Sequence, residues 1–287
     1  MKKVIIFGSK GMLGQELIQV FSDTSVYTVY AVDKDELDIT DNESLSTFFV
    51  QEKPDVVINA AAYNAVDNME EDETAYAIAQ KINVDAVAEL ARLCKEHNAL
   101  FVHYSSDYVF DGTDKNGYDE TSQTHPMSKY GMTKAMSEQA VQTHGGAYYI
   151  IRLSRLFGKP AVSEGAKKSF VDTMLWLVTD GAKTELNVVD EEVSCPTYAP
   201  DLALFTQQLV EDAPASGIYH GANDGACTWY EFATEIFKLK NIDIKLNAVT
   251  ADKFPRPAKR PVFSALLNTK VEKQRRWEEA LREYLIS

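Results

Sequence analysis

Residues 4–14, VIIFGSKGMLG, decide the fold of this chain. The apolar run VIIF (4–7) is typical of a buried β-strand, and it stops at Gly8. Residues 12–22 then carry apolar side chains at helical spacing. A strand, a glycine-rich turn and a helix in this order predict the first unit of a parallel α/β sheet.

Three glycines in this stretch are spaced three residues apart. Gly8 permits a tight turn, Gly11 lets a pyrophosphate approach the backbone, and Gly14 lets the helix pack closely on the strand. The alternative is a simple strand-to-helix turn without a ligand. Because the turn follows a strand and opens a helix, we expect a dinucleotide site.

The rest of the first half repeats the alternation of strands and helices. Strands are predicted over 4–7, 26–32, 55–62, 99–106 and 147–154, and helices over 12–22, 42–51, 74–97 and 128–143. Continuous apolar strands between helices indicate a parallel sheet that is covered on both faces. We therefore predict a Rossmann-type, doubly wound domain over 1–154. Residues 155–287 are expected to form mainly a smaller C-terminal α/β substrate-binding domain, with some segments returning to the sheet.

The composition excludes several classes of protein. Asp and Glu total 43 against 29 Lys and Arg, and the net charge of −14 argues against nucleic-acid binding. The three cysteines lie far apart without zinc-ligand spacing, which indicates a reducing compartment and favours the cytoplasm. No apolar run reaches the roughly 18 residues of a membrane span.

Asp33 ends the second predicted strand, 22 residues after Gly11. A carboxylate there accepts hydrogen bonds from the adenosine ribose and repels a 2′-phosphate, which favours NADH over NADPH. Lys34 follows directly and could counter that repulsion, so the choice stays open. Asp38 and Ile39 lie in the next loop, at the level where adenine is expected.

Tyr130 and Lys134 are four residues apart on a predicted helix, and therefore on one face. The ammonium and a nicotinamide cation beside it are expected to lower the pKa of the phenol, and a change of about 3 units corresponds to roughly 4 kcal/mol. Ser106 ends the fourth strand and meets the same edge of the sheet. A hydroxyl, a tyrosine and a lysine together are typical of a site that reduces a carbonyl group. The alternative is a surface Tyr/Lys pair.

The glycine pattern and the Ser-Tyr-Lys set resemble the extended short-chain dehydrogenase/reductase superfamily. Longer blocks, in order along the chain, resemble the dTDP-4-dehydrorhamnose reductase family. They are VVINAAAYNAVDNMEED (56–72), INV (82–84), HYSSDYVFDG (103–112), YGMTK (130–134), SCPTYAPDLA (194–203), GIYHGANDGACTWYEFA (217–233) and RPAKRPVFSALLNT (256–269).

The resemblance implies hydride transfer from NADPH or NADH to C4 of a dTDP-4-keto-6-deoxy sugar, giving dTDP-L-rhamnose. Tyr130 would donate the proton, Lys134 would hold the nicotinamide ribose, and Ser106 would bond the keto oxygen. Asp107 would touch the sugar, and Asn83 would support the site from its helix. The residues implied to line the cofactor are Gly8, Gly11, Met12, Leu13, Gly14, Asp33, Asp38, Ile39, Ala62, Tyr63 and Asn64.

Two stretches depart from the family pattern. Glu192-Val193-Ser194-Cys195-Pro196-Thr197 stands where the family has Gln-Phe-Gly before Ala-Pro-Thr, which implies an altered pocket wall. The other departure follows the fifth strand. The family often has a tryptophan after the fifth strand that covers the deoxysugar, and Arg155 stands there in this chain. The arginine could stack, pair with an anionic substrate group or lie solvated in a loop. In some members a metal ion bridges a dimer, with Glu16 as one ligand here; because no clear second ligand exists, no metal site is predicted.

The C-terminal region supplies a basic patch, Arg256, Lys259 and Arg260, in an acidic chain. It either faces the pyrophosphate of the substrate or is a solvated loop. Trp229 and Tyr230, at a helix start, and His103, in a buried strand, are expected in the core.

The leading hypothesis is therefore a reductase of a nucleotide sugar, with a homodimer possible. The alternatives are a reductase or epimerase of another nucleotide-activated sugar and a non-catalytic, cofactor-binding regulatory subunit. A dehydratase is disfavoured, because dehydratases resemble Thr-Asp-Glu at this strand end and Tyr108 stands in place of the acid.

Overall fold

The computed structural model describes residues 1–144, 146–163 and 167–286. The helices are α1 (Met12–Val20), α2 (Asn42–Glu52), α3 (Asn68–Glu71), α4 (Glu73–Gln80), α5 (Ala86–Glu96), α6 (Lys129–His144), α7 (Phe170–Thr179), α8 (Ala199–Asp212), α9 (Trp229–Leu239) and α10 (Trp277–Ile286). The strands are β1 (Lys2–Phe7), β2 (Tyr27–Val32), β3 (Val56–Asn59), β4 (Leu100–Ser106), β5 (Tyr148–Leu153), β6 (Leu156–Phe157), β7 (Glu185–Val189), β8 (Val193–Ser194), β9 (Thr197–Tyr198), β10 (Gly217–His220), β11 (Cys227–Thr228) and β12 (Lys245–Val249).

Six strands form one parallel sheet in the order β10-β5-β4-β3-β1-β2. The chain winds outward from β1 in both directions, so the strand order reverses beside β1. Ligands of such sheets bind in the crevice at the carboxyl ends of the strands next to this reversal. The predicted parallel α/β sheet is confirmed.

Helices cover both faces of the sheet. Leu17 of α1 and Leu202 of α8 belong to the apolar core on one face, and Phe49 of α2 and Leu90 of α5 belong to the core on the other. All four side chains are fully buried. Since both faces are apolar and covered, the strands are continuous hydrophobic runs rather than alternating ones.

The second half contributes to two bodies of structure. Helix α8 packs on α1, and β10 pairs in parallel with β5, so both belong to the large sheet. Helices α7, α9 and α10 surround a separate core with Phe232 and Trp277, beside the two-stranded pair of β7 and β12. This smaller layer lies over the carboxyl edge of the sheet. The division at residue 154 stays a prediction.

Two predicted elements differ from the structure. The strand predicted over 55–62 ends at Asn59, and Ala60–Val66 form an irregular loop. The single helix predicted over 74–97 is α4 and α5 joined by a π-helical turn, Lys81–Asp85. A π-turn inserts a residue into the helix, and such turns are frequent at functional sites.

Within residues 1–144, 146–163 and 167–286, no helix is both long enough and apolar enough to cross a membrane.

Candidate active site

A cavity of about 1110 Å³ lies at the carboxyl edge of the sheet, beneath the smaller layer. Most of the residues that the sequence predicted for the site line it, whereas Asn83, Arg256 and Lys259 do not. The lining residues are Gly8, Gly11, Met12, Leu13, Gly14, Asp33, Asp38, Ile39, Ala62, Tyr63, Asn64, Ser106, Asp107, Tyr130, Lys134, Arg155 and Arg260. The structure thus brings them together; the role of each stays a prediction.

The glycine loop fits a pyrophosphate. A Cβ on Gly14 would lie 2.1 Å from the Gly8 carbonyl oxygen, so α1 packs against the loop at a distance that only glycine allows. Gly11 is the N-cap of α1, and a Cβ there would meet only the Gly8 oxygen, at 3.1 Å. The space above Gly11 is therefore open, and the positive end of the helix dipole favours an anion there.

An acidic turn after β2 borders one end of the cavity. Asp33 accepts hydrogen bonds from the backbone amides of Lys10 and Lys34, each at 2.9 Å. The Lys10 ammonium is paired with Asp35 at 2.8 Å and with Glu36 at 3.5 Å. Lys10 is therefore engaged by carboxylates, which leaves Asp33 as a fixed negative group beside the cavity.

The π-turn supports the loop after β3. The Asn83 side chain accepts a hydrogen bond from the Tyr63 amide at 2.8 Å and donates one to the Tyr63 carbonyl at 3.0 Å. It also donates to Thr133 Oγ1 on α6 at 3.2 Å. Asn83 thus ties the loop that lines the cavity to the helix that carries Tyr130.

Helix α6 carries Tyr130 and Lys134 into the cavity. Lys134 is 4 % exposed, and its Nζ donates a hydrogen bond to the Tyr104 carbonyl at 3.1 Å. Burial lowers the pKa of Lys134 to about 8, against the attraction of the Glu138 carboxylate. A partly desolvated ammonium with one backbone acceptor has donors left for a ligand.

In the protein alone, burial outweighs every group that would lower the pKa of Tyr130; the expected lowering by Lys134 together with the nicotinamide cation stays a prediction. Burial raises the pKa of the phenol well above its usual value; the Ser106 hydroxyl opposes that shift, and the Asp107 charge adds to it. The cost of desolvating a phenolate dominates here. At neutral pH Tyr130 is therefore a protonated phenol.

Ser106, Asp107 and Tyr108 form the turn at the end of β4. Asp107 is 3 % exposed, and its carboxylate accepts hydrogen bonds from Ser106 Oγ at 3.1 Å and from Ser264 Oγ at 2.6 Å. The Tyr108 ring meets Tyr130 edge-on, with 5.6 Å between centroids. Burial raises the pKa of Tyr108 to about 12.

Arg155 forms one wall of the cavity. Its guanidinium stacks on the Trp229 ring at 3.8 Å and donates to the backbone carbonyls of Cys227 (2.8 Å) and Glu192 (2.6 Å). The solvated-loop alternative is therefore wrong. Trp229 packs against the core as expected, but it also lines the cavity, and its Nε1 donates to the Glu192 carboxylate at 3.0 Å.

All three residues of the basic patch line a smaller pocket, and Arg260 of the three also lines the main cavity. The Arg260 guanidinium donates to both carboxylate oxygens of Asp67, at 2.6 and 2.8 Å. Arg256 pairs with Glu192. That the patch faces the pyrophosphate of a substrate stays a prediction.

His103 lies in the core, as predicted. It is 1 % exposed, and its Nε2 lies 3.0 Å from Ser137 Oγ. Burial and the nearby Lys134 charge lower its pKa well below the usual value. A neutral buried histidine fits a structural role.

Glu192 lines the cavity, in agreement with the pocket wall expected at Glu192–Thr197. The sequence does not single out Ser264 as a cavity residue, although it lies within RPAKRPVFSALLNT. Ser264 has no spacing relation to Tyr130 or Ser106 along the chain, so only the fold reveals its position.

Comparisons with known proteins give one consistent family. The model of the family described as "RmlD substrate binding domain" matches residues 1–287. A dTDP-4-dehydrorhamnose reductase of Aggregatibacter actinomycetemcomitans is 35% identical over 98% of this chain and 98% of its own length.

Solved structures agree over the whole chain. The crystal structure of a dTDP-4-dehydrorhamnose reductase from Clostridium acetobutylicum has a TM-score of 0.91 and 38% identity, and covers 99% of this chain and 98% of its own. A dTDP-4-dehydrorhamnose reductase from Bacillus anthracis, solved in complex with NADP, has a TM-score of 0.91 and 32% identity, covering 100% and 99%.

Proposed function

The chain belongs to the RmlD substrate binding domain family, and from this premise we propose that it reduces the C4 keto group of dTDP-4-dehydro-6-deoxy-L-mannose to dTDP-L-rhamnose, using NADPH or NADH. The observation that carries the proposal is the meeting of Ser106, Tyr130 and Lys134 beside the glycine loop in one cavity. These are the groups that a carbonyl reduction needs: an oxyanion donor, an acid and a cation.

The cofactor, when bound, supplies the hydride. Gly11 and the amino end of α1 would hold its pyrophosphate, Asp33 its adenosine ribose, and Lys134 its other ribose. The Ser106 hydroxyl would donate a hydrogen bond to the keto oxygen as negative charge develops on it. Tyr130 would then give its proton to that oxygen, which completes the alcohol.

The buried site suits this direction of proton transfer. Because burial raises the pKa of Tyr130, the phenol keeps its proton until an alkoxide, a much stronger base than water, forms next to it. The Lys134 ammonium would then stabilise the phenolate that remains. Since burial lowers the pKa of Lys134 to about 8, we expect kcat to fall as pH rises through that value.

A second candidate is reduction of another nucleotide-activated sugar. Arg155 supports it, because a guanidinium stacked on Trp229 gives this wall of the cavity polar donors where the family often has an indole. Assays with several 4-keto sugar nucleotides and product identification would separate the two candidates. If the protein were an epimerase, the assay would give a stereoisomer of the substrate without net consumption of cofactor.

The decisive test is Tyr130→Phe. NADH and NADPH oxidation would be followed at 340 nm with enzymatically generated dTDP-4-keto-L-rhamnose. We expect the turnover of the variant to fall by about 10²- to 10⁴-fold with cofactor affinity kept, because only the proton donor is removed.

The matched control is Tyr76→Phe on α4, whose ring lies under Lys129 outside the cavity. Near-normal turnover of the Tyr130 variant would refute the mechanism. Wild-type protein that binds cofactor but reduces no keto sugar would favour the regulatory subunit. The homodimer and the cytoplasmic location stay predictions from the sequence.

A further inference from the structure

The Asp107 carboxylate is held from two distant parts of the chain. One oxygen accepts from Ser106, its neighbour in β4, and the other accepts from Ser264, 157 residues away. Both serines are buried, Ser264 at 2 % exposure. The 2.6 Å contact is in the range of hydrogen bonds to an ionised oxygen.

The backbone fixes Ser264 on both sides. The Ser264 amide donates to the Val193 carbonyl at 2.8 Å, and Phe263 forms a parallel bridge with Val193. The Phe263 amide donates to the Gly112 carbonyl at 3.2 Å, in the segment that follows Asp107. The Ser264 hydroxyl is therefore aimed by main-chain contacts rather than by a free loop.

Several ionisable groups surround Asp107. Arg155 attracts its negative charge from the end of β5, while Tyr108, Tyr130 and Cys195 interact with it from the turn after β4, from α6 and from the segment before β9. Burial raises the pKa of Asp107 to about 6, and the hydrogen bonds from Ser264 and Ser106 oppose that rise. Loss of either donor would raise it further.

We infer that Ser264 is a positioning residue, which holds Asp107 ionised and oriented so that the carboxylate can accept a hydroxyl of the sugar while the Ser106 hydroxyl turns to the keto oxygen. The inference rests on the proposed function only for the role of Asp107 toward the sugar. The contact between Ser264 and Asp107 is independent of it. Through Ser264, the C-terminal segment therefore contributes to the ionisation state of Asp107 in the site.

The pH dependence of catalysis tests the inference. The acid limb of kcat/KM is expected near pH 6 in the wild type, because activity needs ionised Asp107. In Ser264→Ala we expect this limb to move up by about one pH unit, with up to a tenfold loss near pH 6 and little loss at pH 8. Ser264→Thr keeps the hydroxyl and should restore the wild-type profile. The alkaline limb, set by Lys134, should not move.

Thermal unfolding gives a readout that needs no turnover. A native pKa above the unfolded value near 3.9 means that Asp107 ionisation costs stability as pH rises, and loss of Ser264 increases that cost. Ser264→Ala should therefore lower Tm more at pH 8 than at pH 5, and Asp107→Asn should abolish this pH dependence. Thr206→Val, which removes another buried hydroxyl, should give a pH-independent loss.

Either arm can overturn the inference. If Ser264→Ala leaves the acid limb in place, or lowers Tm equally at both pH values with and without Asp107→Asn, Ser264 only packs. If Ser264→Ala does not fold, Ser264→Cys would be tested instead. Because a thiol is a weaker hydrogen-bond donor than a hydroxyl, the acid limb of kcat/KM should then move in the same direction by a smaller amount. Absence of wild-type turnover would refute the proposed function, whereas the thermal unfolding measurements would still test whether Ser264 stabilises ionised Asp107.

Discussion

Single residues at the carboxyl edge of the sheet determine what the cavity can bind. Asp33 is the clearest case, since its carboxylate is fixed by the backbone amides of Lys10 and Lys34, and the Lys10 ammonium is paired with Asp35. A 2′-phosphate would lie against this negatively charged turn. Lys34 is exposed in the turn, whereas the Lys10 ammonium is already paired with carboxylates.

We therefore predict that the wild type uses NADH more efficiently than NADPH. Asp33→Asn should raise the NADPH to NADH ratio of kcat/KM by about tenfold, because one repulsive charge is removed. Steady-state kinetics with both cofactors would measure this. Asp23→Asn, in an exposed turn away from the cavity, is the control and should leave the ratio unchanged. A wild type that prefers NADPH, with no response to Asp33→Asn, would contradict the prediction.

At the scale of elements, helix α6 must lie very close to the turn after β4. A Cβ on Gly131 would lie 2.3 Å from the Tyr108 carbonyl oxygen, which no rotamer change relieves because the clash is with backbone. This approach brings Tyr130 to Ser106. The spacing of Tyr130 and Lys134 predicted a shared face of the helix, but not how close that face comes to the strand end.

Gly131→Ala should consequently push α6 away from the turn. We expect a loss of about 1–3 kcal/mol in the free energy of unfolding, as in other overpacked sites, and a fall in kcat larger than the fall in cofactor affinity. Chemical denaturation and isothermal titration would measure these. Gln142→Ala, on the exposed side of the same helix, should change neither. Wild-type stability and kcat in Gly131→Ala would show that the contact is not tight in solution.

The π-turn between α4 and α5 belongs to the same scale. The sequence predicts one regular helix there because the apolar periodicity of 74–97 continues through it. Within the turn, Asn83 hydrogen-bonds to both Tyr63 and Thr133, which lie 20 residues before it and 50 after it. Such a distortion depends on tertiary contacts and leaves no local mark.

At the scale of the whole molecule, the C-terminal segment closes over the sheet through Arg260. Its bidentate pair with Asp67 joins residues 193 positions apart, next to the cavity that Arg260 lines. A substrate pyrophosphate would have to share or replace this carboxylate. The arginine fork suits either partner.

Arg260→Lys should therefore raise KM for the nucleotide sugar by about tenfold, with the affinity for NADH kept, because a lysine cannot make the two-pronged contact. Arg276→Lys is the control, since Arg276 is exposed and pairs with its neighbour Glu278. Kinetics at varied sugar nucleotide would measure the change. An equal rise in KM for both variants would show that the effect is not specific to the two-pronged contact at Arg260.

The sequence by itself determined the parallel sheet, the glycine loop and the set Ser106, Tyr130 and Lys134. These depend on local spacing and on the rule that parallel strands end at one edge, so short-range patterns are sufficient. The tertiary structure alone decided the pairing of Asp107 with Ser264, the stacking of Arg155 on Trp229 and the raised pKa of Tyr130. Each of these three features follows from burial or from contact between distant segments, and none of them is encoded in the spacing of neighbouring residues.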